Sequence, residues 1–488
     1  MTRPTSATRR QVLRSGGAWA ALLALGGLPR HAGAGAAKTD ITGELARYMA
    51  AARDRALPAG VVEACKHRIL DAFGAMISGA RMRPGLMAAD YVRRMGGADQ
   101  ACVVASRLRT TAVNAALANA MCAHADETDD FEPVTKAHPG CSSVPAALAM
   151  AEKNGASGMA FIRAVALGYD VGCRLLMALG PDLVRNTHRS AEGTSSTFCA
   201  LGAAAPLARL DEQRMRFAIS YAAQQVSGLW SWVNDEDHIE KAFDFAGMGA
   251  RNGVMAATMA EAGMTGTSDV LDGAHNLLIA LSTQPDPGAM VEGLGTRYFV
   301  TETAIKTFSV GYPCQSALDA MLSLRREHGL YPANVESVLI RLPTDAVGIV
   351  GDSAMPDVNC QHLVAVALLK GAVSFADSHD TSLMKDPAVL AIRRNLELRG
   401  DASLMDPAAP RGAIVAVRLT DGRQVEHHTR YPPGTKENAL SIEAVGAKVR
   451  DLVAPVLGST KANKLIATVN ELEKLDDVRR LRALITEQ

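Results

Sequence analysis

The amino-acid sequence predicts a mainly α protein, with a large all-helical domain and a smaller inserted α+β lid domain. Apolar residues recur every three or four positions from about residue 39 to 294, which is the pattern of packed helices. Small residues are plentiful and aromatic residues make up only 4% of the chain. Strand-like alternation occurs only after residue 299. A chain of 488 residues is long enough for two or three domains with a sizeable core.

Residues 1–36 are expected to be an export signal and not part of the fold. Arg9 and Arg10 precede a short apolar stretch, and residues 32–34 (Ala-Gly-Ala) offer a small-residue cleavage site. This pattern is typical of a twin-arginine signal peptide, so we expect a periplasmic protein whose mature chain starts near residues 35–38. A frayed basic helix is the alternative. The apolar stretch is too short to span a bilayer, so no stable membrane anchor is expected.

The first part of the helical domain is expected over residues 37–299. Regular apolar spacing predicts helices at Val61–Ile77, Phe161–Leu179, Met215–Val226 and Gly253–Gly263, with Gly, Pro and Asn clusters between them. Strands and helices do not alternate in this part of the sequence. That pattern argues against a doubly wound sheet.

The α+β lid domain is expected over residues 300–432. Residues 336–343 alternate between apolar and polar side chains, as a strand does. Residues 412–429 predict a β-hairpin whose strands are joined by a type I′ turn at Asp421 and Gly422.

Two helices, Gln315–His328 and Gln361–Leu369, are predicted in the same unit. After residues 432–434 (Pro-Pro-Gly) the pattern returns to helix, so residues 433–488 are expected to rejoin the helical domain. The α+β unit would then be an insertion. The groove between the two units is a natural place for a binding site.

Charge and cysteine content exclude several classes of protein. The chain has 51 Lys plus Arg and 51 Asp plus Glu, so no global field favours nucleic acid or an anionic membrane. The eight cysteines are scattered without a Cys-x-x-Cys pair, so a zinc site is not expected. The sequence also lacks a P-loop, an HExxH motif and a GxSxG nucleophile motif.

The stretch HADETDDFEPVTKAHPG, residues 124–140, lies between two small-residue segments that resemble buried helices. His124 and His138 flank five carboxylates: Asp126, Glu127, Asp129, Asp130 and Glu132. A solvated acidic loop is one interpretation of this charge. The other is that a carboxylate orients one of the histidines as a general base.

Three more residues are candidates for binding an anion. His188 begins a polar turn before a predicted helix at Phe198–Ala208, where free N–H groups could bind an anion, although Ser and Thr capping explains the hydroxyls equally well. Lys241 precedes glycines that do not follow a strand, so this is not a dinucleotide-binding loop. Lys306 lies at the seam between the two units. Each lysine is either a surface charge or a ligand for a small polyanion.

These motifs resemble the MmgE/PrpD family over nearly all of the mature chain. The likeness is carried by His124-Ala-Asp-Glu-Thr-Asp-Asp, His138-Pro-Gly, Val144–Glu152, Gly168–Leu175, the His188 turn, Gly249-Ala-Arg-Asn-Gly, Lys306, Leu318-Asp-Ala and His362–Gly371. The resemblance implies a homodimer, a site between the two units, and no metal or organic cofactor. It also implies a small di- or tricarboxylate substrate that reacts at a carbon next to a carboxylate.

By this resemblance, Glu127, His138 and His188 match family residues that would be catalytic. Lys241 and Lys306 match the family's lysines and would bind substrate carboxylates, stabilising charge in an enolate-like transition state.

Two further positions, Gln315 and His362, are expected to bind substrate by the same resemblance. Gln315 aligns where the family usually has a histidine, and it cannot act as an acid or base near neutral pH. His362 aligns with a family tyrosine.

The function expected is a lyase of the dehydratase or decarboxylase type. Two alternatives stay open: an epimerase or isomerase of a small dicarboxylate on the same scaffold, and an exported carboxylate-binding protein without catalysis. The sequence predicts no nucleic-acid partner.

Overall fold

The computed structural model describes residues 40–487, so the expected signal peptide, residues 1–36, lies outside the described residues. Within this range no helix is long and apolar enough to cross a membrane. The first run of helices comprises α1 (Ile41–Ala52), α2 (Ala59–Gly79), α3 (Arg83–Met95), α4 (Ala112–Ala123), α5 (Gly140–Asn154), α6 (Gly158–Leu179), α7 (Pro181–Asn186), α8 (Ala191–Ala204), α9 (Glu212–Ala223), α10 (Ile239–Ala242), α11 (Met248–Glu261) and α12 (Leu277–Leu281). A π-helical turn, Phe243–Gly247, joins α10 to α11. Two short strands, β1 (Ala101–Cys102) and β2 (Arg109–Thr110), pair between α3 and α4.

Small residues let the central helices α5, α6 and α8 approach closely. A Cβ added to Gly168 would lie 2.6 Å from Ser143 Oγ, and one added to Gly172 would collide with Cys199 Sγ. Because these contacts leave no room for a side chain, the Ala- and Gly-rich composition follows from the packing.

The second part of the chain surrounds a four-stranded sheet. Its helices are α13 (Gln315–His328), α14 (Thr344–Val350), α15 (Cys360–Lys370), α16 (Phe375–His379) and α17 (Pro387–Arg393), and its strands are β3 (Val335–Leu342), β4 (Leu396–Gly400), β5 (Ala413–Leu419) and β6 (Gln424–Thr429). The strand order is β4-β3-β5-β6, with β4 parallel to β3 and the other pairs antiparallel. Buried Ile340 and Val415 are partners in the β3–β5 ladder.

The chain returns to helix in α18 (Ile442–Leu457), α19 (Ser459–Asn470) and α20 (Arg482–Ile485). Helix α18 packs on α2, where an added Cβ on Gly74 would lie 3.0 Å from Leu452 Cδ1. The largest hydrophobic cluster joins residues of most of the first twelve helices, α3 and α10 excepted, to residues of α18–α20, and a separate cluster lies within residues 310–425. The mainly α class is therefore confirmed, whereas the boundaries at 300 and 432 and the role of the α+β unit as a lid stay predictions.

Several local expectations were wrong. The β5–β6 turn is not type I′, because only Gly422 has a positive φ (88°) and Asp421 does not. Asp421 Oδ1 instead accepts a hydrogen bond from Arg423 N (3.0 Å), and Gly422 N donates to Leu419 O (3.0 Å). Strand β4 was not expected, and α8 begins at Ala191, not at Phe198, because Ser190 caps it through Gly193 N.

Candidate active site

The acidic stretch after α4 is buried, so the interpretation as a solvated loop is wrong. An isolated antiparallel bridge between Phe131 and Ala304 ties the loop to the chain that leads into the second cluster. The exposed fractions of its carboxylate residues are 0, 3, 1, 3 and 1% for Asp126, Glu127, Asp129, Asp130 and Glu132.

Some of these carboxylates shape the loop. Asp130 Oδ1 accepts a hydrogen bond from Gly140 N (2.9 Å) at the start of α5, and Glu132 Oε2 accepts one from Thr135 N (2.6 Å). Burial raises the pKa of Asp126 to about 7 and that of Asp130 to about 6. These groups satisfy backbone donors that would otherwise be buried without partners.

Asp129 binds two histidines at once. Its Oδ1 is 3.0 Å from His124 Nδ1 and its Oδ2 is 2.9 Å from His138 Nδ1. Burial alone would raise the pKa of Asp129, but the two histidines and Lys306 hold it well below its usual value. Because an ionised carboxylate only accepts, both Nδ1 atoms carry the proton. The Nε2 atom of a neutral His138 is therefore free to accept a proton.

Glu127 is the centre of a buried ion-pair network. Lys241 Nζ donates to its Oε1, while Lys306 Nζ donates to its backbone O (2.7 Å) and lies 3.4 Å from its Oε2. Burial alone would raise the pKa of Glu127, but the two ammonium groups hold it well below its usual value. Lys306 lies 3.6 Å from Asp129 Oδ1, and the nearby carboxylates raise its pKa against the opposing effect of burial. The network is therefore charged at neutral pH.

Aromatic rings enclose this network. Lys241 Nζ lies 5.0 Å from the centroid of Trp232 and 5.3 Å from that of Phe245, within cation–π range. Phe245, in the π-helical turn, stacks on His124 with a centroid distance of 4.2 Å. His238 Nε2 donates to His124 O (3.0 Å), and burial followed by Lys241 lowers the pKa of His238 to about 4.

A small cavity of about 40 Å³ lies where residues of the first run of helices meet residues of the second part of the chain. It is lined by Glu127, Phe131, His138, Arg185, Glu192, Trp232, Lys241, Phe245, Gly311, Tyr312, Pro313, Ile349, Val358 and Arg411. The structure therefore brings the expected residues Glu127, His138 and Lys241 to one cavity wall. Such a wall can bind a carboxylate and transfer a proton beside it.

The other expected site residues do not line this cavity. His188 is exposed and has a positive φ (60°). Lys306 is fully buried behind Glu127. Gln315 uses its amide to hold the loop after Lys306: its Oε1 accepts from the backbone N of residues 307 and 308 (3.1 Å each). His362 is fully buried, and neither ring nitrogen has a partner among residues 40–487.

Two groups of side chains have ligand atoms close enough to hold a metal. They are His124, Glu127 and His238, and His124, Asp129 and Cys141, with ligand atoms within 4.8 Å of one another. In both groups the carboxylate is already neutralised by a lysine or histidine. Both carboxylates therefore already have positively charged or N–H donor partners, and a divalent metal ion would have to displace Lys241 or Lys306 from Glu127, or His138 from Asp129.

Comparison with known families identifies the chain's relatives. The family model described as the MmgE/PrpD N-terminal domain matches residues 43–290, and the MmgE/PrpD C-terminal domain matches residues 308–474. The chain belongs to the MmgE/PrpD family.

Two curated relatives are similar over most of their length. The cis-aconitate decarboxylase-like protein oryM of Aspergillus oryzae is 23% identical over 482 residues, covering 92% of this chain and 97% of that protein. The cis-aconitate decarboxylase of Aspergillus terreus is 23% identical over 488 residues, covering 92% and 96%.

Four residues in or beside the cavity of this MmgE/PrpD chain were given no role from the sequence: Asp129, Arg185, Glu192 and Arg411. Asp129 lies in the same acidic motif as His138, so a role in orienting that histidine could have been inferred from the nearby sequence. Arg185, Glu192 and Arg411 line the cavity, but no spacing in the sequence connects them.

Proposed function

We propose that the protein is a lyase of the dehydratase or decarboxylase type that acts on a small di- or tricarboxylate by proton transfer next to a carboxylate. The observation that supports this most is the His138–Asp129 pair, which shares a cavity wall with Lys241. A base oriented by a carboxylate, next to a fixed ammonium group, suits the formation of an enolate-like transition state.

In the dehydratase form, a substrate carboxylate binds at Lys241. His138 Nε2 accepts the proton from the neighbouring carbon, and the C–H electron pair forms a double bond as the C–O bond to a hydroxyl on the adjacent carbon breaks. The hydroxyl takes this proton back from His138 and leaves as water. Asp129 stabilises the imidazolium that forms at His138.

In the decarboxylase form, the bond between a carboxylate and its carbon breaks, carbon dioxide leaves, and the electron pair stays on that carbon. Protonated His138 then donates its Nε2 proton to this carbon. Lys241 stabilises the negative charge in both forms, and its burial (3% exposed) strengthens that interaction.

The names of the two Aspergillus relatives support a lyase, and the retained His138, Glu127 and Lys241 support catalysis over binding alone. We propose that no cofactor takes part, because these side chains can supply the proton transfers and the charge stabilisation. Periplasmic location stays a proposal from Arg9 and Arg10.

Homodimerisation is also proposed. Helix α3 presents an apolar face that a second copy could cover, since Leu86, Met87, Tyr91 and Met95 are each at least half exposed.

The proposal is tested by NMR of the purified chain in D₂O with cis-aconitate, citrate and propane-1,2,3-tricarboxylate. Loss of water or carbon dioxide from one of them, with deuterium incorporation, is the expected result. Deuterium exchange without loss of water or carbon dioxide would instead support the epimerase. Binding without exchange or turnover would identify a carboxylate-binding protein.

A further inference from the structure

We propose that Arg185 and Arg411 form a recognition site for a second carboxylate of the substrate, in addition to the carboxylate held at Lys241. This inference rests on the proposed function and extends it to the basis of substrate selection. It makes the cavity specific for dianions and trianions over monocarboxylates.

Arg411 is 5% exposed and has an unused donor. Its Nη1 donates to both carboxylate oxygens of Asp345 (3.0 Å each) and to Pro410 O (2.9 Å). Its Nε is buried without a hydrogen-bond partner in the part of the chain that the structure describes. An unpaired buried donor is costly, and a guanidinium has a second edge that fits a carboxylate. Arg411 lines the cavity, so a ligand there can reach it.

Arg185 adds a second positive charge to the same cavity wall. Its guanidinium lies 4.7 Å from the ring centroid of Trp230, which holds it by cation–π stacking. Unlike Arg411, it forms no ion pair with any residue in the range 40–487. Its charge is therefore available to an anion.

The nearby carboxylates leave donors of both arginines unpaired. Asp345 is partly exposed and pairs with Nη1 of Arg411 only. Glu192, which lines the cavity, accepts a hydrogen bond from Ser190 Oγ (3.1 Å) and forms no ion pair with either arginine among residues 40–487.

This site also borders a larger cavity of about 250 Å³. Arg411 and Tyr312 line both cavities, so they form the partition between them. An anion that enters from the larger cavity would meet Arg411 before it reaches His138.

The test compares binding of propane-1,2,3-tricarboxylate and butyrate to the full chain by calorimetry. Arg411→Gln and Arg185→Gln should each weaken tricarboxylate binding roughly ten- to a hundredfold and leave butyrate binding unchanged. Asp345→Asn should bind the tricarboxylate as tightly as the wild type or more tightly, because it frees the Arg411 fork. Arg418→Gln, which removes an exposed arginine paired with Glu336 (3.0 Å), is the matched control and should change neither affinity.

The inference would be overturned if the arginine variants lost affinity for the tricarboxylate and for butyrate equally. It would also be overturned if Asp345→Asn changed tricarboxylate affinity as much as Arg411→Gln does. If Arg411→Gln does not fold, Arg411→Lys replaces it, and the same selective loss is expected because an ammonium lacks the planar fork. If the wild type converts cis-aconitate but Arg411→Gln and Arg185→Gln keep the wild-type affinity for the tricarboxylate, the second carboxylate site is refuted and the proposed function is not. A wild type that binds no carboxylate would refute the proposed function together with it.

Discussion

Replacing Lys306 with Met should destabilise the fold strongly, because Lys306 is fully buried against Glu127 and Asp129. The substitution keeps an unbranched side chain of similar length and removes only the charge and the hydrogen bond to Glu127 O. Removing one partner of a buried ion pair costs about 3–5 kcal/mol. With about 2.1 cal/mol/K of unfolding entropy per residue, the 488-residue chain should lose about 3–5 °C in Tm.

The pH dependence of this loss has a defined sign. The folded-state pKa of Lys306 is raised, so its stabilisation is present below the ordinary lysine pKa and is lost as the pH rises through the raised value. The pKa of Glu127 is lowered, so its stabilisation is present above the ordinary glutamate pKa and is lost as the pH falls through the lowered value. The difference in Tm between wild type and Lys306→Met should therefore hold from about pH 6 to 9 and shrink below about pH 4.

Calorimetric melting of both proteins across this pH range provides the assay. Lys474→Met, in an exposed pair with Glu471 (2.8 Å), is the control and should leave Tm unchanged. The double variant Glu127→Gln with Lys306→Met should recover part of the lost stability, because both charges are then gone. A Tm unchanged by Lys306→Met, or a loss that is as large at pH 3.5 as at pH 7, would refute the ion-pair reasoning.

Three further predictions concern other parts of the chain. Asp129→Asn should lower turnover by roughly 10²–10⁴-fold with less effect on carboxylate affinity, because His138 loses the group that orients its ring. Measurements of kcat and Kd test this, and an unchanged kcat would contradict it. Burial raises the pKa of Asp126 to about 7, so this group binds a proton more tightly in the folded state and its contribution to stability falls as the pH rises from about 4 to 7. Asp126→Asn should gain stability relative to the wild type over that range, by up to about 1.4 kcal/mol per pH unit, and a flat difference in denaturant unfolding would count against the raised pKa. Changing Arg9 and Arg10 to Lys should leave precursor in the cytoplasm, and normal periplasmic delivery in a fractionation experiment would rule out twin-arginine export.

The helices could be predicted because their apolar spacing is local information. Helix α13 was expected at Gln315–His328 and ends where Gly329 takes a left-handed conformation (φ 60°). Strand β4 has little such signal, since it is a short edge strand with mostly exposed or half-buried residues. The β5–β6 turn was misassigned because Asp-Gly suits more than one turn, and the Asp421 side chain decides between them.

Local sequence alone could predict the site only where its residues share one short motif, and Lys241 was expected through the family resemblance. Glu127, Asp129 and His138 lie within one loop, so their proximity follows from the chain itself. The burial of Lys306 and the exposure of His188 depend on packing between distant segments, which no local pattern reports. Arg185 and Arg411 meet at the cavity from different parts of the chain for the same reason.

The most direct test of the proposed chemistry is deuterium incorporation from D₂O into a carboxylate substrate by wild type and His138→Gln, followed by NMR with Tm measured on the same samples. The account predicts that His138→Gln melts close to the wild type and binds carboxylate but incorporates no deuterium. A folded His138→Gln protein that exchanges the proton at the wild-type rate would contradict the assignment of His138 as the proton-transfer group.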